Sequence, residues 1–221
     1  SGKCAYEYRK NLGRELAKEN NDQSDLIVPV PDSGVPAALG YAEESGIKFE
    51  LALIRNHYVG RTFIEPTQNI RSLGVKLKLS STKTIVKNKS IVLIDDSLVR
   101  GTTCHKIIKM LYEAGANEVH VRIACPQIKF PDFYGVDMPT KDELLAHEKN
   151  LNEMTNYIRA KSLKFLSLNG LYKALANEKR NDIFPQFSDH YFTGDYPIRP
   201  TDNLQGLKIK QLSLLSGKSN N

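Results

Sequence analysis

The most informative part of this sequence is one continuous block, residues 91–103, which reads Ile91-Val92-Leu93-Ile94-Asp95-Asp96-Ser97-Leu98-Val99-Arg100-Gly101-Thr102-Thr103. Its first four residues are all apolar, which is typical of a strand that is buried on both faces. Beyond the block, Cys104, Ile107, Ile108 and Leu111 follow the i, i+3, i+4, i+7 spacing of one helix face. The block therefore predicts a strand, a short polar loop and a helix.

The chain on both sides of this block repeats the alternation of strand and helix. We predict strands over residues 26–30, 51–54, 91–94 and 119–124, a turn over 31–34, and helices over 35–44 and after 101. Residues 140–176 indicate a helix, a short strand over 163–166 and a second helix. Alternation with nearly continuous apolar strands predicts an α/β fold with a mostly parallel central sheet flanked by helices.

The length of 221 residues suits one full domain and a remainder. We assign residues 1–176 to the domain and residues 177–221 to an irregular C-terminal tail that packs on it. The tail aromatics Phe184, Phe187, Tyr191, Phe192 and Tyr196 are interpreted as packing residues. Residues 56–80 are polar and basic, and a connection of this length is usually functional, disordered or both.

Composition excludes several classes of protein. The net charge of +6 favours anionic partners, but the lysines are scattered and Trp is absent, so we expect no nucleic acid partner. No apolar run approaches the roughly 18 residues that span a membrane. Three cysteines cannot form a disulfide framework, and they suit a reducing cytoplasm. The chain begins Ser1-Gly2 without Met, so we expect an excised or processed piece.

The loop after the predicted strand combines two kinds of ligand. Hydroxyl groups, Gly101 and the start of a helix offer donors for a phosphate, whereas Asp95 and Asp96 would repel it. A divalent cation or a sugar whose hydroxyls donate to carboxylates reconciles the two. The alternative, a plain turn with an Asp-Ser helix cap, explains one Asp but not the pair.

This block resembles the phosphoribosylpyrophosphate (PRPP) signature of the type I phosphoribosyltransferases. Three further stretches, residues 30–33, 56–64 and 133–140, are similar to one family among them, the amidophosphoribosyltransferases. The resemblance runs from about residue 4 to residue 197. It implies the type I phosphoribosyltransferase fold, with a flexible active-site loop and an irregular C-terminal tail.

The resemblance also implies roles for individual residues. Asp95 and Asp96 would hold the ribose hydroxyls and help to place Mg²⁺, with Ser33 as a further metal ligand. The PRPP-binding set continues through Ser97, Leu98, Val99, Arg100, Gly101, Thr102 and Thr103, which would bind the 5-phosphate. The catalytic loop would begin with Arg55, Tyr58 and Arg61, with Lys76 and Lys78 near its far end. His57 lies in the same loop and is equally well read as a solvated side chain.

The implied activity is transfer of ammonia to C1 of PRPP with release of pyrophosphate, which starts purine synthesis. In this family a glutaminase domain supplies the ammonia from glutamine, and the subunits form dimers or tetramers. Two other functions are alternatives to this activity. A nucleobase phosphoribosyltransferase disagrees with residues 134–140, which match the amidophosphoribosyltransferases. A non-catalytic PRPP-binding regulator would tend to lose the acidic pair.

Four departures from the family pattern modify these expectations. The glutaminase domain, which needs an N-terminal Cys nucleophile, is missing and this chain starts with Ser1, so we expect this chain alone to use free ammonia. Tyr8 runs directly into Arg9 where relatives carry an extra segment, so we expect residues to be missing there. Arg55 stands where Lys is common, which changes the hydrogen-bond geometry.

The fourth departure concerns iron. Some relatives hold an iron–sulfur cluster on four cysteines, but here only Cys4 matches, and Asp132, Ser188 and Tyr191 fall at or near the other places. We therefore expect no cluster, and we expect Cys4 to be an ordinary buried thiol.

Two smaller expectations concern residues outside the motifs. Thr140 and Glu143 have the spacing of a capping box at the start of a helix. His147 is expected on a helix surface.

Overall fold

The computed structural model describes residues 4–55, 79–81, 83–135, 140–176, 179–183 and 185–198. The strands are β1 Leu26–Pro29, β2 Leu53–Arg55, β3 Leu79–Ser81, β4 Ser90–Asp95, β5 Glu118–Ile123 and β6 Ser162–Phe165. The helices are α1 Ala5–Lys18, α2 Val35–Ser45, α3 Lys83–Val86, α4 Thr102–Glu113, α5 Leu145–Glu148, α6 Leu151–Ile158, α7 Leu168–Ala176 and α8 His190–Thr193, with a 3₁₀ turn at Lys141–Glu143.

Four strands form a fully parallel sheet in the order β1-β4-β5-β6. The strand predicted from the informative block, β4, lies between β1 and β5. Ile91, Val92, Leu93 and Ile94 are completely buried because helices cover both faces of the sheet. The predicted α/β architecture is therefore confirmed.

Alternate residues of β4 enter two separate cores. Ile91 and Leu93 pack with Ile107 and Ile108 of α4 on one face. Val92 and Ile94 pack with Tyr41 of α2 and with Leu16 of α1 on the other. The apolar spacing that predicted α4 thus identified its buried side correctly.

The predicted strand over residues 51–54 has a different partner from the one expected. It is β2, and it pairs antiparallel with β3 in a separate two-stranded sheet. Among the described residues, the central sheet continues beyond β1 as an isolated parallel bridge between Ile27 and Phe49. The short helix α3 was not predicted, and the described end of the polar segment, residues 79–81, is strand.

A buried carboxylate of the tail is bonded to Arg180 within the tail and to Tyr172 of the domain. Asp189, which is 2% exposed, accepts hydrogen bonds from Arg180 Nε at 2.7 Å and from the Tyr172 hydroxyl at 2.8 Å. Arg180 also donates to Asp182 and Asp195. Aromatic pairs such as Tyr172–Phe187 add further contacts between α7 and the described part of the tail. The division at residue 176 stays a prediction.

Helix α1 passes without a break through Tyr8 and Arg9, with the Tyr8 amide donating to the Cys4 carbonyl at 3.2 Å. The expectation of missing residues at this point stays a prediction. Within the described residues, the helices are all too short or too polar to cross a bilayer.

Candidate active site

The two carboxylates predicted for the site lie side by side at the carboxyl end of β4. Asp95 Oδ1 accepts a hydrogen bond from the Asp96 backbone N–H at 2.9 Å. Ser97 Oγ donates to Asp96 Oδ1 at 3.3 Å. The Asp95 carbonyl accepts from the Ala124 N–H, which extends the pairing with β5 by one step. The sheet therefore holds the acidic pair rigidly at the edge where parallel sheets bind ligands.

The turn after β1 closes onto the same edge. The Val30 N–H donates to the Ile94 carbonyl at 2.8 Å. A Cβ on Gly34 would stand 2.5 Å from that carbonyl oxygen, so the approach requires glycine. It brings Ser33 into one cleft of about 260 Å³ with Asp96 and Ser97.

The loop that follows the acidic pair ends in a glycine that side chains crowd. Gly101 precedes the first residue of α4 with φ of 75°, the left-handed region. A Cβ here would stand 2.8 Å from Leu145 Cδ2 and 3.1 Å from the Tyr157 ring. Thr102 and Thr103 are exposed in the first turn of α4. The backbone N–H groups of this turn and the helix dipole favour an anion at this position.

Other residues of the loop point elsewhere. Leu98 is 3% exposed and belongs to the core, so only its backbone could reach a ligand. The Val99 carbonyl accepts from the Leu145 N–H at 2.9 Å. Arg100 donates to the Glu143 carboxylate at 3.0 Å, with both side chains about half exposed.

The capping box expected at Thr140 and Glu143 is wrong. The Thr140 side chain makes no capping hydrogen bond, and the Glu143 carboxylate binds Arg100 instead. A capping box does occur one helix later, where Asn150 and Glu153 exchange both hydrogen bonds. His147 is exposed on α5, as expected.

Burial and mutual repulsion make the acidic pair electrostatically unusual. Burial, followed by the charge of Asp96, raises the pKa of Asp95 well above its ordinary value. Burial also raises the pKa of the nearby Cys125 thiol, and the charges of Asp96 and Asp95 add to that effect. The two ionised carboxylates repel each other in this partly buried site, and a bound cation would offset that repulsion.

Part of the predicted catalytic set lies beyond what the structure describes. Arg55 is the last residue of β2, and only its backbone is described. Tyr58, Arg61, Lys76, Lys78 and His57 fall outside the described residues.

The cleft also has walls that were not predicted from the sequence. Besides the predicted residues, it is lined by Arg9, Leu12, Ala37, Ala124, Cys125, Ile128 and Phe192. Ala124 and Cys125 directly follow β5, so the rule that ligands bind at strand ends could have found them. Phe192 lies in the tail, and no local sequence signal indicates its place.

Three of the four positions compared with cluster cysteines, Asp132, Ser188 and Tyr191, line one cleft with His190, whereas Cys4 lines a different one. Asp132 pairs with His190, whose other nitrogen lies 3.1 Å from Ser188 Oγ. Burial and a hydrogen bond with Asp132 raise the pKa of Tyr191. Cys4 is exposed near the start of α1, so the expectation of a buried thiol is wrong. Whether the protein binds an iron–sulfur cluster stays a prediction.

Comparison with known proteins supports this reading of the fold. Residues 6–130 match the family model of the phosphoribosyl transferase domain. The chain is 57% identical over 216 residues to the amidophosphoribosyltransferase of Rhizobium etli, covering 97% of this chain. It is 49% identical to the chloroplastic amidophosphoribosyltransferase 2 of Arabidopsis thaliana, over 91% of the present chain.

A solved structure shows the same arrangement. The glutamine PRPP amidotransferase from B. subtilis, complexed with ADP and GMP, superposes with a TM-score of 0.79 at 46% identity, covering 88% of this chain. This chain spans 42% of that protein, 44% of the Rhizobium protein and 35% of the Arabidopsis protein. The matching domain model, these identities and the shared fold show that the chain belongs to the phosphoribosyl transferase domain family, with the type I phosphoribosyltransferase fold.

Proposed function

We propose that this chain is the PRPP-using part of an amidophosphoribosyltransferase. It transfers ammonia to C1 of PRPP and releases pyrophosphate, which gives 5-phosphoribosylamine and commits the sugar to purine synthesis. One observation carries the proposal: Ser33, Asp96 and Ser97 meet in one cleft, at the carboxyl ends of β1 and β4. The similarity to amidophosphoribosyltransferases over nearly the whole chain selects this activity among phosphoribosyl transfers.

Different groups of this chain bind different parts of the substrate. The N–H groups at the start of α4 and the hydroxyls of Thr102 and Thr103 bind the 5-phosphate. Gly101 has no side chain, so the backbone can approach that phosphate closely. Asp95 and Asp96 accept hydrogen bonds from the ribose hydroxyls. The sugar is thereby held at both ends, which orients C1 toward the open side of the cleft.

The donor set also fits Mg²⁺. The described residues include no group of three or more His, Cys, Asp or Glu side chains suited to a metal. Magnesium, however, is usually bound through one or two carboxylates together with substrate phosphates, and Asp95, Asp96 and the Ser33 hydroxyl offer such oxygens. Burial, and then the charge of Asp96, raises the pKa of Asp95. A cation beside the pair would offset the repulsion between the two carboxylates. When bound, Mg²⁺ neutralises charge that develops on departing pyrophosphate.

The transfer balances without any further reactant. The C1–O bond to pyrophosphate breaks and the electron pair leaves with pyrophosphate. The ammonia nitrogen forms the new bond to C1 and then loses one proton. Arg55, Tyr58 and Arg61 are proposed to stabilise the leaving charge and to close over the substrate.

The decisive experiment measures pyrophosphate release from Mg·PRPP by this polypeptide, with ammonium in one assay and glutamine in the other. Release that depends on ammonium but not on glutamine supports the proposal. Release with glutamine would show that an amide-donor domain or partner accompanies the chain. Absence of release with both, while Mg·PRPP still binds, would favour a non-catalytic PRPP-binding regulator.

The partners proposed for the whole protein follow from its longer relatives. A glutaminase domain would deliver ammonia, and the subunits would assemble as a dimer or tetramer. Size-exclusion chromatography coupled to light scattering tests the assembly. We also propose a cytoplasmic location, because the cysteines in the described part of the chain are unpaired.

A further inference from the structure

One side of the cleft beside Asp96 and Ser97 is apolar. Its lining side chains are Leu12, Ala37, Ile128 and Phe192. Three of these come from α1, α2 and the segment after β5, which are all parts of the domain. Phe192 comes from α8, in the C-terminal tail. The tail thus supplies one wall of the cleft, far along the chain from the acidic pair.

Helix α8 is fixed in place by the segment that follows β5. The Tyr191 carbonyl accepts hydrogen bonds from the backbone N–H groups of Lys129 and Phe130, at 2.9 and 3.1 Å. His190 Nε2 lies 2.8 Å from Asp132 Oδ1, and both side chains are almost fully buried. After Phe192, the Tyr196 hydroxyl donates to the Pro131 carbonyl at 2.9 Å, so the chain is held on both sides of Phe192.

We propose that Phe192 shields the reacting carbon of the sugar from water. This inference rests on the proposed function, because it concerns which nucleophile reaches C1. Closing an active site with apolar groups keeps water from activated intermediates. Phe192 supplies such a group in the cleft that it shares with Asp96, one of the carboxylates proposed to hold the ribose, whereas another tail aromatic, Phe187, packs on Tyr172.

The competing reactions differ only in the attacking atom. In both, the C1–O bond to pyrophosphate breaks and pyrophosphate leaves with the electron pair. Ammonia attack forms a C1–N bond and gives phosphoribosylamine after loss of one proton. Water attack forms a C1–O bond and gives ribose 5-phosphate, also after loss of one proton. A defective shield therefore increases pyrophosphate release in the absence of ammonium.

The kinetic test compares pyrophosphate release without ammonium to release with ammonium, at saturating Mg·PRPP. For Phe192→Ala we expect this ratio to rise about tenfold, equivalent to about 1.4 kcal/mol in relative barrier height. Phe192→Leu keeps an apolar side chain of similar reach and should stay close to the wild type. Phe187→Ala removes a tail aromatic away from the cleft lining and is the matched control. A wild-type ratio in Phe192→Ala overturns the proposal.

A second measurement does not depend on turnover. Cys125 lines the same cleft as Phe192, whereas Cys104 is buried in the core under α4. At one fixed pH, iodoacetamide should alkylate Cys125 about tenfold faster in Phe192→Ala than in the wild type, with Cys104 unchanged. Mass spectrometry of the two peptides gives both rates. An unchanged Cys125 rate, or one that rises only in step with Cys104, overturns the proposal.

The two measurements separate this inference from the proposed function. If the wild type releases no pyrophosphate with any nucleophile, the proposed function fails, and the alkylation rates still decide whether Phe192 covers the cleft. If ammonium-dependent release occurs but neither readout responds to Phe192→Ala, the function stands and the role of Phe192 is rejected.

Discussion

Substitution of Asp96 should lower the catalytic rate most directly. It follows β4, shares a cleft with Ser33 and Ser97, and accepts a hydrogen bond from Ser97. Asp96→Asn keeps the shape of the side chain but removes a charge that the ribose and Mg²⁺ would both use. We expect weaker Mg·PRPP binding and a loss of about 10²–10³ in kcat/KM, comparable to removing one electrostatic stabiliser.

Calorimetric titration with Mg·PRPP and pyrophosphate-release kinetics check this expectation. Glu113→Gln, in an exposed pair with Lys109 on α4, serves as the control. Unchanged kinetics in Asp96→Asn would remove this carboxylate from the proposed site.

Asp22 is a second single residue with a large expected effect, in this case on the stability of the fold. It accepts hydrogen bonds from Tyr41 and from Arg122, which is 2% exposed. Burial alone would raise the pKa of Asp22, but the hydrogen bonds from Arg122 and Tyr41 outweigh it and lower the pKa below its ordinary 3.8. The ionised carboxylate therefore stabilises the fold above that pH, and this contribution disappears as pH falls through the lower folded-state pKa.

Asp22→Asn should cost about 3–5 kcal/mol at neutral pH, because Arg122 is left buried without its counterion. Its unfolding free energy should also depend less on pH in the acidic range below 3.8. Urea unfolding across pH measures both quantities. Equal losses in Asp22→Asn and in Glu113→Gln, which breaks the exposed pair with Lys109, would show that the buried pair contributes no more than a surface pair.

At the scale of elements, the junction between α4 and the loop proposed to bind the 5-phosphate depends on Gly101. Both a positive φ of 75° and the nearby Leu145 and Tyr157 side chains oppose a Cβ there. Gly46, at the end of α2, has nearly the same φ of 72° but no atom within 4 Å of such a Cβ. The two glycines therefore separate backbone strain from steric crowding.

Gly46→Ala should cost about 1–2 kcal/mol of stability, the penalty of the left-handed region alone. Gly101→Ala should cost more, and it should raise the KM for PRPP, because α5 and α6 must shift behind the loop. Thermal unfolding and steady-state kinetics on both variants give the comparison. Matching stability losses with an unchanged KM would show that the crowding at Gly101 relaxes without moving the loop.

At the scale of the whole molecule, Arg180 orders the tail by binding Asp189, and Asp189 joins the tail to the domain by accepting a hydrogen bond from Tyr172 of α7. The Arg180 guanidinium is 10% exposed and binds Asp189, Asp182 and Asp195. Burial would raise the pKa of Asp189, and the Arg180 and Tyr172 hydrogen bonds reverse that effect and lower it. Arg180→Gln leaves Asp189 as a buried charge without its main partner.

We expect Arg180→Gln to lose about 3–5 kcal/mol and to expose the tail to chymotrypsin. Lys179→Gln, at the neighbouring exposed position, should behave as the wild type. Limited proteolysis with mass spectrometry identifies the cleavage sites. If cleavage in the tail is as slow in Arg180→Gln as in the wild type, the other contacts of the tail hold it without Arg180.

The sequence by itself determined the central sheet, the strand–loop–helix unit and the acidic pair. These are local features, since a run such as residues 91–94 is buried in any parallel sheet and the polar loop must then follow at its carboxyl end. Several contacts could be seen only in the folded structure, because no local sequence pattern predicts them. The antiparallel partner of β2, the Arg100–Glu143 contact and the place of Phe192 all join residues that are distant along the chain. Such contacts depend on how the packed elements are arranged in space. Periodicity and motif spacing describe neighbouring residues only, so they do not predict these contacts.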